Sequence, residues 1–210
     1  MIVRLFLAAW LLVCAGPAFA HPHVWITMKS EVLVGPDGAV TGIRHHWSFD
    51  DMFSAFALQG QASKVKGQYT REELAPLAKV NVESLKEYDY FTYATADGKK
   101  VELAPPTSDY WLDYRDSVLT LNFTLPVKTP VKAKELKVDI YDPTIFIDFE
   151  FDKKDPGKLV GGPHCKMDVV YPREMTFAEG KALSEIPADQ PNVSMAWGEK
   201  FANKLLVHCP

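Results

Sequence analysis

Residues 24–49 read VWITMKSEVLVGPDGAVTGIRHHWSF. Two runs rich in β-branched and apolar residues, 24–34 and 40–49, flank the sequence GPDG at positions 35–38. Glycine, proline and aspartate are residues that tight turns favour, and extended runs on either side of such a turn indicate paired strands. The stretch therefore predicts a β-hairpin, which we expect to begin the fold.

The rest of the chain indicates a mainly β protein with helices confined to one place. Residues 51–88 contain helical spacing of apolar residues and a capping box, in which Thr70 and Glu73 satisfy each other's free amides. Beyond them, strand signals return in the runs YFTYATADGKKVEL, SVLTLNFTL, ELKVDIYD, IFIDFEF and CKMDVVY. We predict a β-sandwich of about seven strands, with a small helical insertion at about 51–88.

The first twenty residues have the pattern of a cleaved secretory signal. Arg4 precedes a short apolar run, and Ala18-Phe19-Ala20 has the small-x-small form that signal peptidase cleaves. The run is shorter than the roughly 20 apolar residues that a membrane-spanning helix needs, and no later run is long enough to anchor the chain. We therefore expect a soluble periplasmic protein without a membrane anchor, with a sandwich domain at 21–173 and a C-terminal extension at 174–210.

The charge balance argues against nucleic acid as a partner. The chain has 23 basic and 27 acidic residues, and removing Arg4 with the signal leaves 22 against 27, a formal charge of −5. Nucleic acids and anionic membranes both favour basic surfaces. We expect neither of them as a partner.

Two cysteines remain after residue 20, and they predict a disulfide. An even number of cysteines in an exported, oxidising compartment indicates a bond between Cys165 and Cys209. This bond would tie the C-terminal extension back to the domain. The alternative is a tetrahedral zinc site in which the two thiolates act together with His164 and His208.

The mature N-terminus carries the most specific chemistry in the sequence. Cleavage after Ala20 would leave His21 first, so that one residue offers both an α-amine and an imidazole, and His23 would lie on the same side of an extended segment. If the hairpin pairs positions that sum to about 74, Asp50 or Asp51 falls opposite His23. These donors suit a divalent transition metal, namely zinc, nickel, cobalt or copper.

Other polar residues are weaker candidates. His45 and His46 are neighbours on a predicted strand, so at most one of them can join a given site; we include His45 as a possible ligand if another element brings it towards the terminus. Asp148, Glu150 and Asp152 share one face of a strand, opposite Ile147, Phe149 and Phe151. Such a face is usually solvated.

Several stretches resemble a family of bacterial periplasmic proteins of unassigned domain: AHPHVWI, RHHWSFDDMFSAF, PPTSDYWLDY and VDIYDPTIFIDFEF. Members are commonly described as the periplasmic component of a transport system, and occur with permeases similar to nickel/cobalt exporters; some look like zinc-uptake partners. The resemblance implies that His21 and His23 match the family's N-terminal motif, and that Trp47, Phe49 and Asp50 match its second block. The calcium-loop-like aspartates that many members have are missing here, so we expect no calcium at that loop.

These observations lead to one hypothesis and two rivals. We expect a non-enzymatic periplasmic protein that binds zinc, nickel or cobalt and passes it to or from a membrane metal permease. The sequence has no P-loop, dinucleotide-binding fingerprint, G-x-S-x-G elbow or H-E-x-x-H helix, and we assign no catalytic residues. One rival is a redox enzyme with a copper histidine brace; the other is a structural or interaction subunit of a transporter that binds no metal.

Overall fold

The computed structural model describes residues 23–144, 146–162, 164–184 and 197–210. The predicted signal and His21 lie outside the described residues. In the described ranges, the helices are α1 (Asp51–Ala57), α2 (Arg71–Leu85), a 3-10 segment (Lys86–Phe91) and α3 (Phe177–Ser184), and residues 197–200 are also helical. The strands are β1 (Val24–Val34), β2 (Val40–Phe49), β3 (Thr92–Ala96), β4 (Lys99–Val101), β5 (Tyr110–Arg115), β6 (Val118–Val131), β7 (Glu135–Ile140), β8 (Ile147–Phe151), β9 (Gly157–Val160), β10 (Lys166–Val170) and β11 (Asn203–His208).

The strands form two sheets, which confirms the predicted mainly β, sandwich-like fold. The first sheet has the order β5-β6-β2-β1-β8, with β9 also paired to β1, and the second has the order β10-β11-β7-β3-β4. The described residues contain eleven strands where the prediction has about seven. Strands β5, β9 and β11 have no counterpart in the predicted set.

The core lies between the sheets and is rich in aromatic residues. Trp47 of β2 packs edge-on against Phe123 of β6 and Phe149 of β8, with ring centroids 4.8 Å and 4.9 Å apart. Trp47 and Phe123 are almost completely buried, and Phe151 has no exposed surface. Aromatic side chains bury large areas, so these rings provide much of the apolar contact that holds the sheets together.

The helices follow the first hairpin. Asp50 caps α1 by accepting a hydrogen bond from the backbone N–H of Phe53, and Thr70 and Glu73 form the predicted capping box at the start of α2. Pro76 lies inside the continuous helix α2. Helix α2 packs mainly on β5 at the edge of the first sheet.

The hairpin register differs from the predicted one by one residue. Paired positions sum to 75 from Ile26–Phe49 to Leu33–Gly42, whereas only the Val34–Val40 pair sums to 74. A bulge between Leu33 and Val34 causes this shift, because it inserts an extra residue into one strand. His45 therefore pairs with Ser30, one residue away from the partner that a sum of 74 would give it.

Candidate metal centre

The chain enters the first sheet at His23. The backbone N–H of His23 donates a hydrogen bond of 2.9 Å to the carbonyl oxygen of Phe146, and the two rings lie 4.9 Å apart between centroids. Strand β1 then runs parallel to β8, with Val24 paired to Ile147. The predicted metal motif therefore joins the fold beside β8 as well as beside β2.

The outer face of the sheet at this point combines aromatic and acidic side chains. Val24 and Phe149 point into the core, so the residues that alternate with them on β1 and β8 point outward. Trp25 is 46% exposed and Phe146 is 45% exposed. Asp148 pairs with Trp25 in the register and is also exposed.

Asp50, the first of the predicted carboxylate ligands, has a structural role. One of its oxygens accepts a hydrogen bond from the backbone N–H of Trp25 at 3.0 Å, and the other accepts from the N–H of Phe53 at 2.8 Å. The carboxylate thus joins the start of α1 to β1. Both oxygens are directed at backbone groups, and Asp50 pairs with Trp25 rather than with His23.

Asp51, the second predicted carboxylate, occupies the first turn of α1. Its side chain is exposed, and a negative charge at this position interacts favourably with the positive end of the helix dipole. If the observed register is extended past the end of β2, Asp51 comes between the position opposite Trp25 and the position opposite His23. It remains a candidate ligand by position.

His45, the third residue that was predicted as a further metal ligand, lies in the core. Its Nδ1 is 2.8 Å from the Ser30 hydroxyl and its Nε2 is 3.2 Å from the Thr92 hydroxyl, which itself donates to the carbonyl oxygen of Tyr90. His45 therefore carries its proton on Nε2 and accepts from Ser30 at Nδ1. Both nitrogens are used, so we leave His45 out of the proposed ligand set.

The surroundings of His45 keep it neutral. Burial, together with the smaller effect of the neighbouring His46, lowers the pKa of His45 to about 3. The ring also contacts Trp47 and Phe123, with centroids 5.3 Å and 5.1 Å away. This histidine connects the two sheets, because Ser30 belongs to the first and Thr92 to the second.

His46 begins a polar chain on the outer face that the sequence did not reveal. Its Nδ1 lies 2.6 Å from the amide oxygen of Asn122, and the Asn122 amide nitrogen donates to Asp113 at 3.2 Å. Asp113 also accepts two hydrogen bonds from Arg71 and one from Trp111. These contacts lower the pKa of Asp113, although its partial burial acts in the opposite direction and is the largest single effect. The chain fastens the start of α2 to the sheet.

Asp148 differs from its acidic neighbours in having no cation beside it. Within the described part of the chain, its carboxylate has neither a hydrogen bond nor an ion pair, whereas Glu150 lies 3.4 Å from Lys153. Although Asp148 is exposed as a residue, partial burial of its carboxyl group, followed by repulsion from Glu150, raises the pKa of Asp148. The sequence placed both carboxylates on one strand face, but only the pairing of β8 with β1 brings Asp148 close to the histidine motif.

The two predicted cysteines form a disulfide. Cys165 and Cys209 are bonded, with their Cα atoms 4.3 Å apart. His164 lines a cleft next to this bond, and His208 lies 4.0 Å from Glu135. A disulfide leaves no thiolates for the alternative zinc site.

The described residues contain one histidine of the N-terminal motif and the carboxylates around it. No group of three or more histidine, cysteine, aspartate or glutamate side chains is close enough to hold a metal within 23–144, 146–162, 164–184 and 197–210. His21, the second imidazole of the motif, is outside these ranges. None of the helices in the same ranges is long and apolar enough to cross a membrane.

Two comparisons relate the chain to other proteins. The profile of a family described as "Protein of unknown function (DUF1007)" matches residues 6–209. The chain is also similar to an "Uncharacterized 15.5 kDa protein in trpE 3'region" of Spirochaeta aurantia, with 35% identity over 94 residues. That match covers 44% of this chain and 66% of the relative, slightly less than two thirds of its length. Neither description states a ligand, a reaction or a partner.

Proposed function

The chain belongs to the DUF1007 family, whose function is unknown, and from that premise we propose that it is a periplasmic metal-binding accessory protein. It binds zinc, nickel or cobalt through His21 and His23 and passes the ion to or from a membrane permease. The fold holds the motif and does not take part in a chemical reaction. No catalytic residue is needed for this role.

The observation that best supports the proposal is the place where His23 joins the sheet. His23 is exposed at the first position of the described chain, and backbone hydrogen bonds to Phe146 fix it there. Imidazole and amine nitrogens bind borderline divalent metals, and carboxylates add charge and oxygen donors. Asp51 and Asp148 provide such carboxylates at the same end of the sheet.

An exposed site also suits the transfer of an ion. Transfer requires that a partner's ligands replace those of the donor one at a time, and the exposed His23 at the start of β1 can be approached from outside. A closed structural cage with four protein ligands would resist this exchange. The two exposed aromatic residues beside His23, Trp25 and Phe146, offer apolar surface next to the site.

The direct test is metal affinity in variants of the two histidines. We expect His21→Ala and His23→Ala each to weaken Zn²⁺ or Ni²⁺ binding at least tenfold in isothermal titration of the processed protein. His208→Ala is the matched control, because it removes a half-exposed histidine on the other sheet. The melting temperature of the metal-free protein should not fall in any of the three.

Two outcomes would contradict the proposal. Unchanged affinity in both N-terminal variants would show that the motif is not the site. Binding restricted to copper, together with turnover that depends on peroxide or oxygen, would indicate the redox enzyme instead.

A further inference from the structure

We propose that the surface formed by Trp25, Met52 and Phe56 is a docking site for a protein partner that presents apolar side chains flanked by lysine or arginine. We call this surface the apolar corner; it lies where α1 leaves the first sheet. The inference goes beyond the proposed function, because it concerns a contact with another polypeptide and holds whether or not the histidine motif binds a metal.

Asp50 brings the parts of the apolar corner together. One of its carboxylate oxygens accepts a hydrogen bond from the backbone N–H of Trp25 at 3.0 Å, and the other caps α1. The backbone N–H of Asp50 in turn donates to the carbonyl oxygen of Trp25 at 3.0 Å. Trp25 is therefore held beside the first turn of α1, which contains Met52. Because these bonds fix the backbone before any partner arrives, little order has to be created on binding.

Helix α1 has a buried face and an exposed apolar face. Phe53 stacks on Phe49 of the core, with ring centroids 4.6 Å apart, and Ser54 is fully buried. Met52 and Phe56, four positions apart and therefore on one side of the helix, are 75% and 66% exposed. Together with the exposed indole of Trp25 they leave large apolar side chains in water at one corner of the molecule.

This composition is typical of a protein interface. Aromatic residues and methionine are enriched where proteins contact each other, and grouped exposed apolar side chains mark such sites more often than single ones do. Tryptophan is also among the residues that most often dominate the binding energy of an interface. The apolar corner therefore has the side chains that a docking site needs.

The charges around the apolar corner select the kind of partner. Residues 50–63 include two aspartates and no lysine or arginine, and residues 146–152 include three acidic residues and no basic one. Asp148, the register partner of Trp25, is exposed, as is Asp51 in the first turn of α1. Partners whose charges complement those of a surface bind it faster and more selectively. An acidic rim therefore favours a partner with lysine or arginine around its apolar residues.

The same charges argue against two other occupants. An anionic membrane surface attracts basic rather than acidic protein surfaces. A second copy of this chain, joined through a two-fold axis, would place one acidic rim against another, because such an interface uses the same patch on both subunits. A basic polypeptide surface is the occupant that the corner fits.

Photo-crosslinking tests the proposal in the cells that naturally produce the protein. Phe56 is replaced by p-benzoylphenylalanine in the full chain, and the same replacement of Val80, which is 59% exposed on α2, is the control. We expect irradiation to give about tenfold more cross-linked product from position 56 than from position 80, since the corner and not α2 contacts the partner. Mass spectrometry should show that the cross-linked segment of the partner contains apolar residues next to lysine or arginine.

Two substitutions of Ala55 test the charge requirement. Ala55 is exposed between Met52 and Phe56, and lysine and glutamate both favour helices, so α1 should form in either variant. With the cross-linker at position 56, we expect Ala55→Lys to lower the yield about fivefold by repelling a basic partner, whereas Ala55→Glu should keep it. In the same background, Trp25→Ser should also lower the yield about fivefold, and Val80→Ser should not.

Several results would overturn the inference. Equal yields from positions 56 and 80 would show that the corner is not a docking site. Cross-links to lipid, to a second copy of this chain or to an acidic segment would show that it takes a different occupant. Equal yields from Ala55→Lys and Ala55→Glu would show that charge does not select the partner. None of these outcomes bears on metal binding, because every variant leaves His23 unchanged.

Discussion

His45 links the two sheets of the sandwich through a single neutral ring. Its Nε2–H donates to Thr92 and its Nδ1 accepts from Ser30, so all of its hydrogen-bonding capacity is used inside the core. A second proton on Nδ1 would face a hydroxyl that now donates to it, at a fully buried position. The low pKa of this histidine follows from that burial.

This residue should make the protein sensitive to acid. The pKa of His45 is about 3 in the folded protein and about 6.5 in the unfolded chain, so between these values only the unfolded chain takes up the proton. Below about pH 6, His45 alone should lower the free energy of unfolding by about 1.4 kcal/mol for each pH unit. Urea denaturation at pH 7, 6, 5 and 4 measures the slope.

The control for this prediction is His45→Gln, which cannot take up a proton in this range. We expect the variant to be less stable than the wild type at pH 7, because its hydrogen bonds to Ser30 and Thr92 are imperfect. Its stability should nevertheless fall less steeply towards pH 4. Equal slopes in the two proteins would contradict the assignment of the acid sensitivity to His45.

At the scale of elements, β9 depends on a close approach between two backbones. Gly157 pairs with Ser30 of β1 and has a φ of +152°. A Cβ atom at this position would lie 1.9 Å from the carbonyl oxygen of Ser30. Only glycine fits here without moving one of the strands.

Gly157→Ala should therefore destabilise the protein, whereas the same change in a helix should not. We expect a loss of about 1 to 3 kcal/mol, the usual cost of forcing extra atoms into a packed site. Gly180→Ala in α3 is the control, since its new Cβ would only come within 3.7 Å of Met175 and alanine favours helices. Chemical denaturation measures the stability of both variants. Equal stabilities would show that β9 is free to move away from β1.

The sequence predicts elements well where their pattern is local. The first hairpin and the capping box of Thr70 and Glu73 are recognisable because turn and cap residues stand next to the periodic runs they bound. Strand β11 has no counterpart among the predicted strands, because Leu205 and Leu206 form an apolar run that fits a helix as well as a strand. In the structure, β11 lies between β10 and β7, so part of the predicted C-terminal extension is an inner strand of the second sheet.

The candidate site was predictable only in part, because only some of its features follow from a local sequence pattern. The motif of His21 and His23 can be read directly, because its donors are close in sequence. The bulge at Leu33 and Val34 has no clear sequence signal, and it moved the expected pairing of Asp50 by one residue. The approach of Asp148 depends on a parallel pairing between distant strands, which no local pattern encodes.

At the scale of the whole molecule, the disulfide fixes the end of the chain to the second sheet. Cys165 and Cys209 are 44 residues apart and lie next to the paired strands β10 and β11. Closing a loop of this length restricts the unfolded chain and should contribute about 4 kcal/mol. His23, the described residue of the proposed metal motif, lies at the start of β1 in the first sheet, whereas the disulfide lies beside strands of the second sheet.

Replacing both cysteines by serine should therefore separate stability from metal binding. We expect the free energy of unfolding to fall by about 4 kcal/mol in urea, while the affinity for Zn²⁺ stays within about twofold of the wild type at a temperature where the variant is folded. A variant that keeps its stability would show that the disulfide contributes little. One that is folded but no longer binds the metal would connect the disulfide to the site.

The central claim is that the exported protein carries one transition-metal ion on an N-terminal histidine motif. Native mass spectrometry of the protein from the periplasm, before and after chelation, tests it most directly. We predict a mass that begins at His21, contains two hydrogens fewer than the reduced chain and includes one zinc, nickel or cobalt ion that the chelator removes. A metal-free mass, or a chain that begins elsewhere and leaves no free amine on His21, would contradict the account.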